Sequence, residues 1–319
     1  MTLIDVLMPN SMMPMIAAGL EGKVRLHKLY EASDPAVLLR SVAPDIKAIA
    51  AGGGHQAIDG PYMAQFPQLG LVSSFGVGYD HIDAAYAGQH GIIVTNTPDV
   101  LNEEVADTAI GLLLVTVRQL SQAERHLRAG LWPKGHFPLT ASLRGKTIGI
   151  IGLGRIGKAI ARRAEAFGLK IAYHGRSRQP LSPYAFYASL VDMAAACDIL
   201  MVITPGGPQT RHLVNTEVLA ALGPSGVLIN VARGSVVDET ALIAALQSGT
   251  LGSAGLDVFA NEPHVPQALI DMPHVVVLPH VGSGTHHTRN AMAQLVIDNI
   301  LCLVEGRPPL TPVAETPLG

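Results

Sequence analysis

Aromatic side chains are scarce: Phe, Trp and Tyr make up 4% of the 319 residues, and Trp132 is the only tryptophan. A core with so few rings has to be aliphatic, and Val, Ile, Leu and Ala dominate, as in strands buried on both faces of a parallel sheet. Charge is thin as well, at 15% of residues with a net of -3 and no long run of either sign. That weakens a nucleic-acid reading, which needs a basic face. An anionic ligand would have to be held by a few local arginines and N–H groups. The two cysteines, Cys197 and Cys302, stand far apart in no metal-ligand spacing, so a reduced, cytoplasmic location is expected. The longest apolar run, Ile110 to Val117, is too short to cross a bilayer and reads as a buried helix. The opening MTLIDVLMPN has no basic segment and its apolar stretch stops at Pro9, so no signal peptide is expected. Glycine (33) and proline (22) are plentiful but scattered, which makes them turn punctuation.

What the chain does contain is alternation. Short apolar runs occur at Leu3–Met8, Val24–Tyr30, Ile46–Ala51, Leu71–Phe75 and Ile92–Thr95. A second series occupies Thr147–Ile151, Lys170–His174, Ile199–Ile203, Val227–Val231, Gly255–Val258 and Val275–Leu278. Stretches with helical spacing, such as Ala159–Phe167 and Glu239–Gln247, lie between them. This βαβα order predicts an α/β protein with two doubly wound parallel-sheet domains. Ser41–Pro44 and Pro61–Pro67 read as loops or short turns. Asn102 to Leu120 reads as one long helix with Asn102 as its cap, and Arg289 to Glu305 as a second. These two helices flank the second series, so the chain is expected to leave domain one, build domain two and return: residues 1–98 with 286–319, and 99–285. The alternative is two sequential domains with an appendage. Residues 129–143, within a stretch 120–145, have no clear period and carry Trp132. They form either a surface loop docked on its own domain or a dimerisation arm whose tryptophan reaches a neighbouring subunit.

Thr147 to Gly157 reads TIGIIGLGRIG. Gly152, Gly154 and Gly157 form GxGxxG directly after an apolar strand and before a helix. The first glycine permits the tight turn, the second lets a pyrophosphate reach the backbone, and the third lets helix pack against strand. Leu153, Arg155 and Ile156 complete the turn, whose helix N-terminus offers amides to the phosphates. An NAD site usually carries Asp or Glu at the end of the next strand, for the ribose 2′-OH. This chain has Gly175, Arg176, Ser177 and Arg178 instead. Two guanidiniums and a hydroxyl suit a 2′-phosphate, so NADP(H) is the expected cofactor. A second glycine run, Ala51 to His55, lacks the helix-opening pattern and reads as a loop facing the cleft.

Three later segments place polar residues just past strand ends, where open α/β sheets bind ligands. They are LINVARG (Leu228–Gly234), LDVFANEP (Leu256–Pro263) and LPHVGSGT (Leu278–Thr285). Arg233, Asp257, Glu262 and His280 are the candidates for one site. His280 can protonate a carbonyl oxygen, since imidazole titrates near neutrality. Glu262 would hydrogen-bond its other ring nitrogen, and Arg233 would hold a carboxylate. The remaining histidines, including His264, His274, His286 and His287, have no partner pattern, and no metal-ligand spacing occurs.

With FGVGYDHID (Phe75–Asp83), GLGRIG and VARGSVVDE, these motifs closely resemble the D-2-hydroxyacid dehydrogenases over nearly the whole chain. The HGRSR loop is similar to that of their NADP-type glyoxylate/hydroxypyruvate reductase branch. The resemblance implies a flavodoxin-like substrate domain and a Rossmann-type cofactor domain with a cleft between them. It implies hydride transfer to a small 2-keto acid, with Arg233, Glu262 and His280 catalytic. It further implies that the Val77 and Gly78 amides take the substrate carboxylate. Asp257 would meet the nicotinamide amide, and Thr108, Thr204, Pro205, Val231 and Gly282 would line the cofactor. A homodimer with no nucleic-acid or membrane partner is expected. Sibling activities, of D-lactate or phosphoglycerate type, stay open. So does a dinucleotide-sensing corepressor-like role, although such proteins are expected to show regulatory tails or a peptide-docking cleft that this chain lacks.

Overall fold

A computed structural model describes residues 3–52, 57–316 and 318. Two compact units form, Met1–Leu101 with Thr285–Gly319, and Asn102–Gly284. Most of the glycine run Ala51 to His55 lies outside the described residues.

The first unit holds β1 (Asp5–Met8), β2 (Arg25–Lys28), β3 (Ile46–Ala51), β4 (Leu71–Ser74) and β5 (Ile93–Thr95), all parallel, in the order β2-β1-β3-β4-β5. Alternate residues face opposite ways along a strand, and both faces are covered. Leu7, Ile49 and Val72 pack on one side. Val6, Met8, Ala48 and Leu71 pack on the other, against Ala293, Val296, Ile297 and Ile300 of the helix His286–Val304. That explains why these strands read as continuous apolar runs. The helix begins three residues earlier than its apolar spacing indicated, because the Thr285 hydroxyl caps it by accepting from the Thr288 N–H.

The second unit adds β6 (Thr147–Ile151), β7 (Lys170–His174), β8 (Ala185–Tyr187), β9 (Ile199–Val202), β10 (Val227–Asn230), β11 (Ser253–Leu256) and β12 (Val275–Val277). They are arranged β12-β11-β10-β9-β6-β7-β8. The order reverses between β6 and β9, which makes the ends of those strands the topological switch point. β8 is three residues long and half-exposed, with no alternation to reveal it in the sequence.

Three expected elements differ. Ser41 and Val42 belong to a helix, Pro35–Val42, and Ala43–Asp45 to a 3-10 turn. Gly60–Met63 is a short helix capped by Asp59, so Pro61 opens a helix at its first turn, where its missing N–H costs nothing. The predicted helix Asn102–Leu120 is two helices, Asn102–Val117 and Leu120–Arg128, with Gln119 between them in the left-handed region at φ 49°. No glycine or proline marks that break. The second helix is instead held from outside, where the Gln122 amide donates to the Pro273 carbonyl at 2.6 Å. In the segment 129–143 Trp132–Lys134 forms a 3-10 turn, and Trp132 is 61% exposed.

The central strands of the second sheet start from one carboxylate. Asp198 accepts from Lys146 Nζ at 2.7 Å and from the Thr147 N–H at 2.9 Å, just before β6. Its own carbonyl accepts from Val227 at the start of β10. Burial pushes the Asp198 carboxyl up, but the Lys146 and Thr147 hydrogen bonds and the Lys146 charge outweigh it and hold it below its ordinary value. A carboxylate depressed in the folded state stabilises above its unfolded pKa, and the contribution is lost as pH falls through the folded pKa. Asp198→Asn is therefore expected to lower the urea midpoint at pH 7. The gap from the parent should close below about pH 4, and equal gaps at both pH values would contradict this.

Candidate active site

Apart from Thr108, on the helix Asn102–Val117, the candidate residues of the second unit sit past carboxyl ends of neighbouring strands. Gly152–Gly157 follow β6, Arg176–Arg178 follow β7, and Thr204 and Pro205 follow β9. Val231 and Arg233 follow β10, Asp257 and Glu262 follow β11, and His280 and Gly282 follow β12.

The glycine turn is shaped by contact. Gly152 has φ 102°, and a β-carbon on it would meet Thr204 backbone atoms at 3.0 Å. A β-carbon on Gly157 would lie 2.2 Å from the Gly152 carbonyl oxygen. Gly154 differs: nothing lies within 4 Å of the position its β-carbon would take. It is also the N-cap of the helix Arg155–Ala166, and no side chain caps that helix. An open position beside uncapped amides at a helix start fits a dinucleotide pyrophosphate. Gln179, which the sequence reading missed, ties the next loop to this turn. Its side-chain amide donates to the Leu153 carbonyl at 2.7 Å, and its backbone N–H donates to the Tyr173 hydroxyl at 2.7 Å. Between Tyr173 and Gln179, the residues Arg176, Ser177 and Arg178 are exposed.

Around Arg233 the chain is turned by Asn230, a 1% exposed residue at the end of β10. Its oxygen accepts from the Ala232 N–H at 3.1 Å and its amide donates to the Arg233 carbonyl at 3.0 Å. Gly234 presses this turn onto the loop after β11, since a β-carbon there would fall 1.9 Å from the Phe259 carbonyl carbon. In that loop Glu262 divides its carboxylate. Oε1 accepts from the Phe259 N–H at 3.0 Å, and Oε2 lies 2.7 Å from His280 Nδ1. Burial pushes the Glu262 carboxyl up; the bonds to His280 and Phe259 and the charges of His280 and Arg233 pull harder, leaving it below its ordinary value. An ionised carboxylate only accepts, so His280 Nδ1 is the donor. Nε2 is left as the ring atom free to exchange a proton, on a side chain 46% exposed.

His280 sits at φ 53°, in the left-handed region. That conformation costs a residue with a β-carbon roughly 1–2 kcal/mol, and one residue offsets it. The His280 N–H donates to the Asp257 carbonyl at 2.9 Å, the Val281 N–H to Asp257 Oδ1 at 2.8 Å, and the Gly282 N–H to Oδ2 at 2.8 Å. Asp257 is 1% exposed. Burial pushes its carboxyl up, and the two amide bonds reverse only part of that. The sequence reading gave Asp257 a contact with the nicotinamide. The structure gives its carboxylate a further task, clamping the backbone that carries the histidine. Thr108 and Gly282 also meet, the Thr108 hydroxyl donating to the Gly282 carbonyl at 3.3 Å. Val231 is buried and Pro205 exposed, its carbonyl accepting from the Thr210 hydroxyl at 2.7 Å.

Val77 and Gly78 belong to the first unit, in the loop after β4. The Val77 carbonyl accepts from Asn96 Nδ2 at 2.8 Å, and the Gly76 carbonyl accepts from the Thr97 N–H at 2.9 Å.

Residues 110–282 match the family described as D-isomer specific 2-hydroxyacid dehydrogenase, NAD binding domain. The chain is 48% identical over 310 residues to glyoxylate/hydroxypyruvate reductase A HPR2 of Arabidopsis thaliana, covering 97% of this chain and 99% of that protein. It is 45% identical to hydroxyphenylpyruvate reductase of Plectranthus scutellarioides, covering 98% and 100%. Among solved structures, it matches the NADPH-dependent glyoxylate/hydroxypyruvate reductase of Sinorhizobium meliloti in complex with NADP and malonate. There the TM-score is 0.92 at 49% identity, with 99% of this chain and 98% of that chain covered. A glycine turn after β6, a Glu–His pair across β11 and β12, and relatives of this identity over nearly the full length lead to one assignment: the chain belongs to the D-isomer specific 2-hydroxyacid dehydrogenase family.

Proposed function

We propose that this chain reduces small 2-keto acids, glyoxylate and hydroxypyruvate, to 2-hydroxy acids with NADPH. The observation that carries the reading is the Glu262–His280 pair at 2.7 Å, with the Arg233 charge acting on Glu262. Two relatives named above are glyoxylate/hydroxypyruvate reductases.

NADPH, when bound, supplies the hydride. Gly152–Gly157 and the helix start behind them hold its pyrophosphate, and Arg176, Ser177 and Arg178 hold the 2′-phosphate. Thr108, Thr204, Pro205, Val231, Asp257 and Gly282 line it. Arg233 and the Val77 and Gly78 amides take the substrate carboxylate, which orients the carbonyl. His280 delivers a proton from Nε2 to the carbonyl oxygen as the hydride arrives at carbon. Glu262 holds the ring through Nδ1, so only one nitrogen faces the reaction. Asp257 keeps the ring at its station by fixing the backbone on which it stands.

The stretch 120–145 serves as a dimerisation arm. Leu120, Leu127, Leu131, Trp132 and Leu139 are all exposed in the single chain, which is costly for a continuous segment unless a second copy covers it. No helix among the described residues is long and apolar enough to cross a membrane. A cytoplasmic location is supported by the two cysteines, both free and buried.

The reading is tested by following NADPH absorbance at 340 nm on adding glyoxylate, hydroxypyruvate or hydroxyphenylpyruvate. Oxidation is expected with the two smaller acids, and no turnover of any of the three would refute it. His280→Ala should lower kcat by about 100-fold or more while leaving the NADPH dissociation constant unchanged; survival of kcat within about tenfold would remove His280 as the acid. Arg176→Ala combined with Arg178→Ala should reduce kcat/KM for NADPH far more than for NADH. Equal losses would remove the 2′-phosphate assignment.

A further inference from the structure

In a trans peptide the carbonyl and the following N–H point in opposite directions, so fixing one aims the other. The two peptides that carry the Val77 and Gly78 amides are both fixed by their carbonyls, and from the same side. The Thr97 N–H holds the Gly76 carbonyl at 2.9 Å, which aims the Val77 N–H away from the end of β5. The Asn96 side chain holds the Val77 carbonyl at 2.8 Å, which aims the Gly78 N–H the same way. Neither aimed N–H makes a hydrogen bond among the described residues. Two adjacent N–H groups turned outward by bonds at their backs form a preorganised anion acceptor.

Asn96 is itself held. Its backbone carbonyl accepts from the Thr311 hydroxyl at 2.6 Å, and its N–H donates to the Thr311 carbonyl at 3.3 Å. The Thr311 hydroxyl in turn accepts from Asn299 Nδ2 at 3.0 Å. Asn299 is fully buried in the helix His286–Val304, and its oxygen accepts from the Leu310 and Thr311 amides at 2.8 and 3.2 Å. A continuous chain of bonds thus runs from Asn299 through Thr311 and Asn96 to the Val77 carbonyl. On the other side of the loop, the Tyr79 hydroxyl donates to Glu315 at 2.9 Å, a second tie to the same C-terminal segment.

The geometry points to Asn96 as the positioning residue for substrate carboxylate binding, set in place by Thr311 and Asn299. Asn96 touches no reacting atom; it acts through the orientation of the Val77–Gly78 peptide. The inference rests on the reading that the Val77 and Gly78 amides receive that carboxylate. It deepens the reading by naming what aims them.

The test combines kinetics with amide resonances. Malonate, a dicarboxylate without a keto group, serves as the binding probe. In the parent protein, malonate is expected to shift the Val77 and Gly78 amide signals; if it does not, the carboxylate reading itself fails. Asn96→Ala should raise the KM for glyoxylate and the inhibition constant of malonate by about tenfold or more, as expected for one misdirected bond to a charged group. The fall in kcat should be smaller, and the NADPH dissociation constant should stay at the parent value. Asn96→Asp keeps the volume and removes the donor, so it should show the same split even if the alanine variant folds poorly. Thr311→Val should move both constants in the same direction by less. Thr311→Ser, which keeps the hydroxyl, should restore parent values. If malonate shifts both amides in the parent but binds folded Asn96→Asp with unchanged affinity, Asn96 does not aim the loop and the inference is overturned.

Discussion

Three consecutive amides, those of His280, Val281 and Gly282, end on one residue. Asp257 receives the first at its carbonyl and the other two at its carboxylate, and it does so almost completely buried. The histidine needs that grip because its backbone occupies a conformation that side chains avoid. Remove the three bonds and an extended backbone becomes the favoured state, which would turn the ring away from Glu262. The Glu262–His280 bond, the direction of Nε2 and the Thr108–Gly282 contact all depend on this grip. The site shows the pattern in which local strain at a functional residue is maintained by surrounding structure.

The two carboxylates around His280 also divide along physical lines. Both are buried enough for desolvation to be their largest perturbation, yet they move in opposite directions. Asp257 has two amide bonds and the His280 charge for compensation, with Glu262 acting against them, and they fall short. Glu262 has the histidine and the Arg233 charge as well as an amide, and it stays ionised. One acid holds a backbone and the other holds a ring. Their neighbours make the difference, since the side chains differ by a single methylene.

Much of this was legible in the sequence, and the reasons are specific. Strands buried on both faces advertise themselves as apolar runs, and β3, β6 and β7 begin and end where the residues indicated. The glycine turn was legible because each glycine answers a steric demand that only glycine meets. Arg233, Glu262 and His280 were legible as polar residues following strand ends. What stayed hidden is held by long-range contact. The break at Gln119 has no glycine or proline to mark it, and β8 is too short for a pattern. Gln179, Asn230 and Asn96 look like ordinary loop polars until their amides are seen clasping carbonyls. Asparagine and glutamine side chains carry no charge pattern or periodicity, so nothing in the linear order distinguishes a clasp from a solvated turn.

The threonine bonds that close the first sheet have a consequence for how the chain is made. Thr311 bonds to Asn96 and Thr316 to Val94, 215 and 222 residues away. The whole stretch Asn102–Gly284 comes off the ribosome between them. The cofactor half is contiguous and can fold as its own residues emerge. The other half waits, its β5 edge uncapped and one face of its sheet bare, until the helix His286–Val304 and the segment after it arrive. During synthesis the nascent chain thus acquires a nucleotide-binding half before the half that carries Val77 and Gly78 is complete. The segment made last, whose contacts with the first sheet span more than two hundred residues, also aims those two amides.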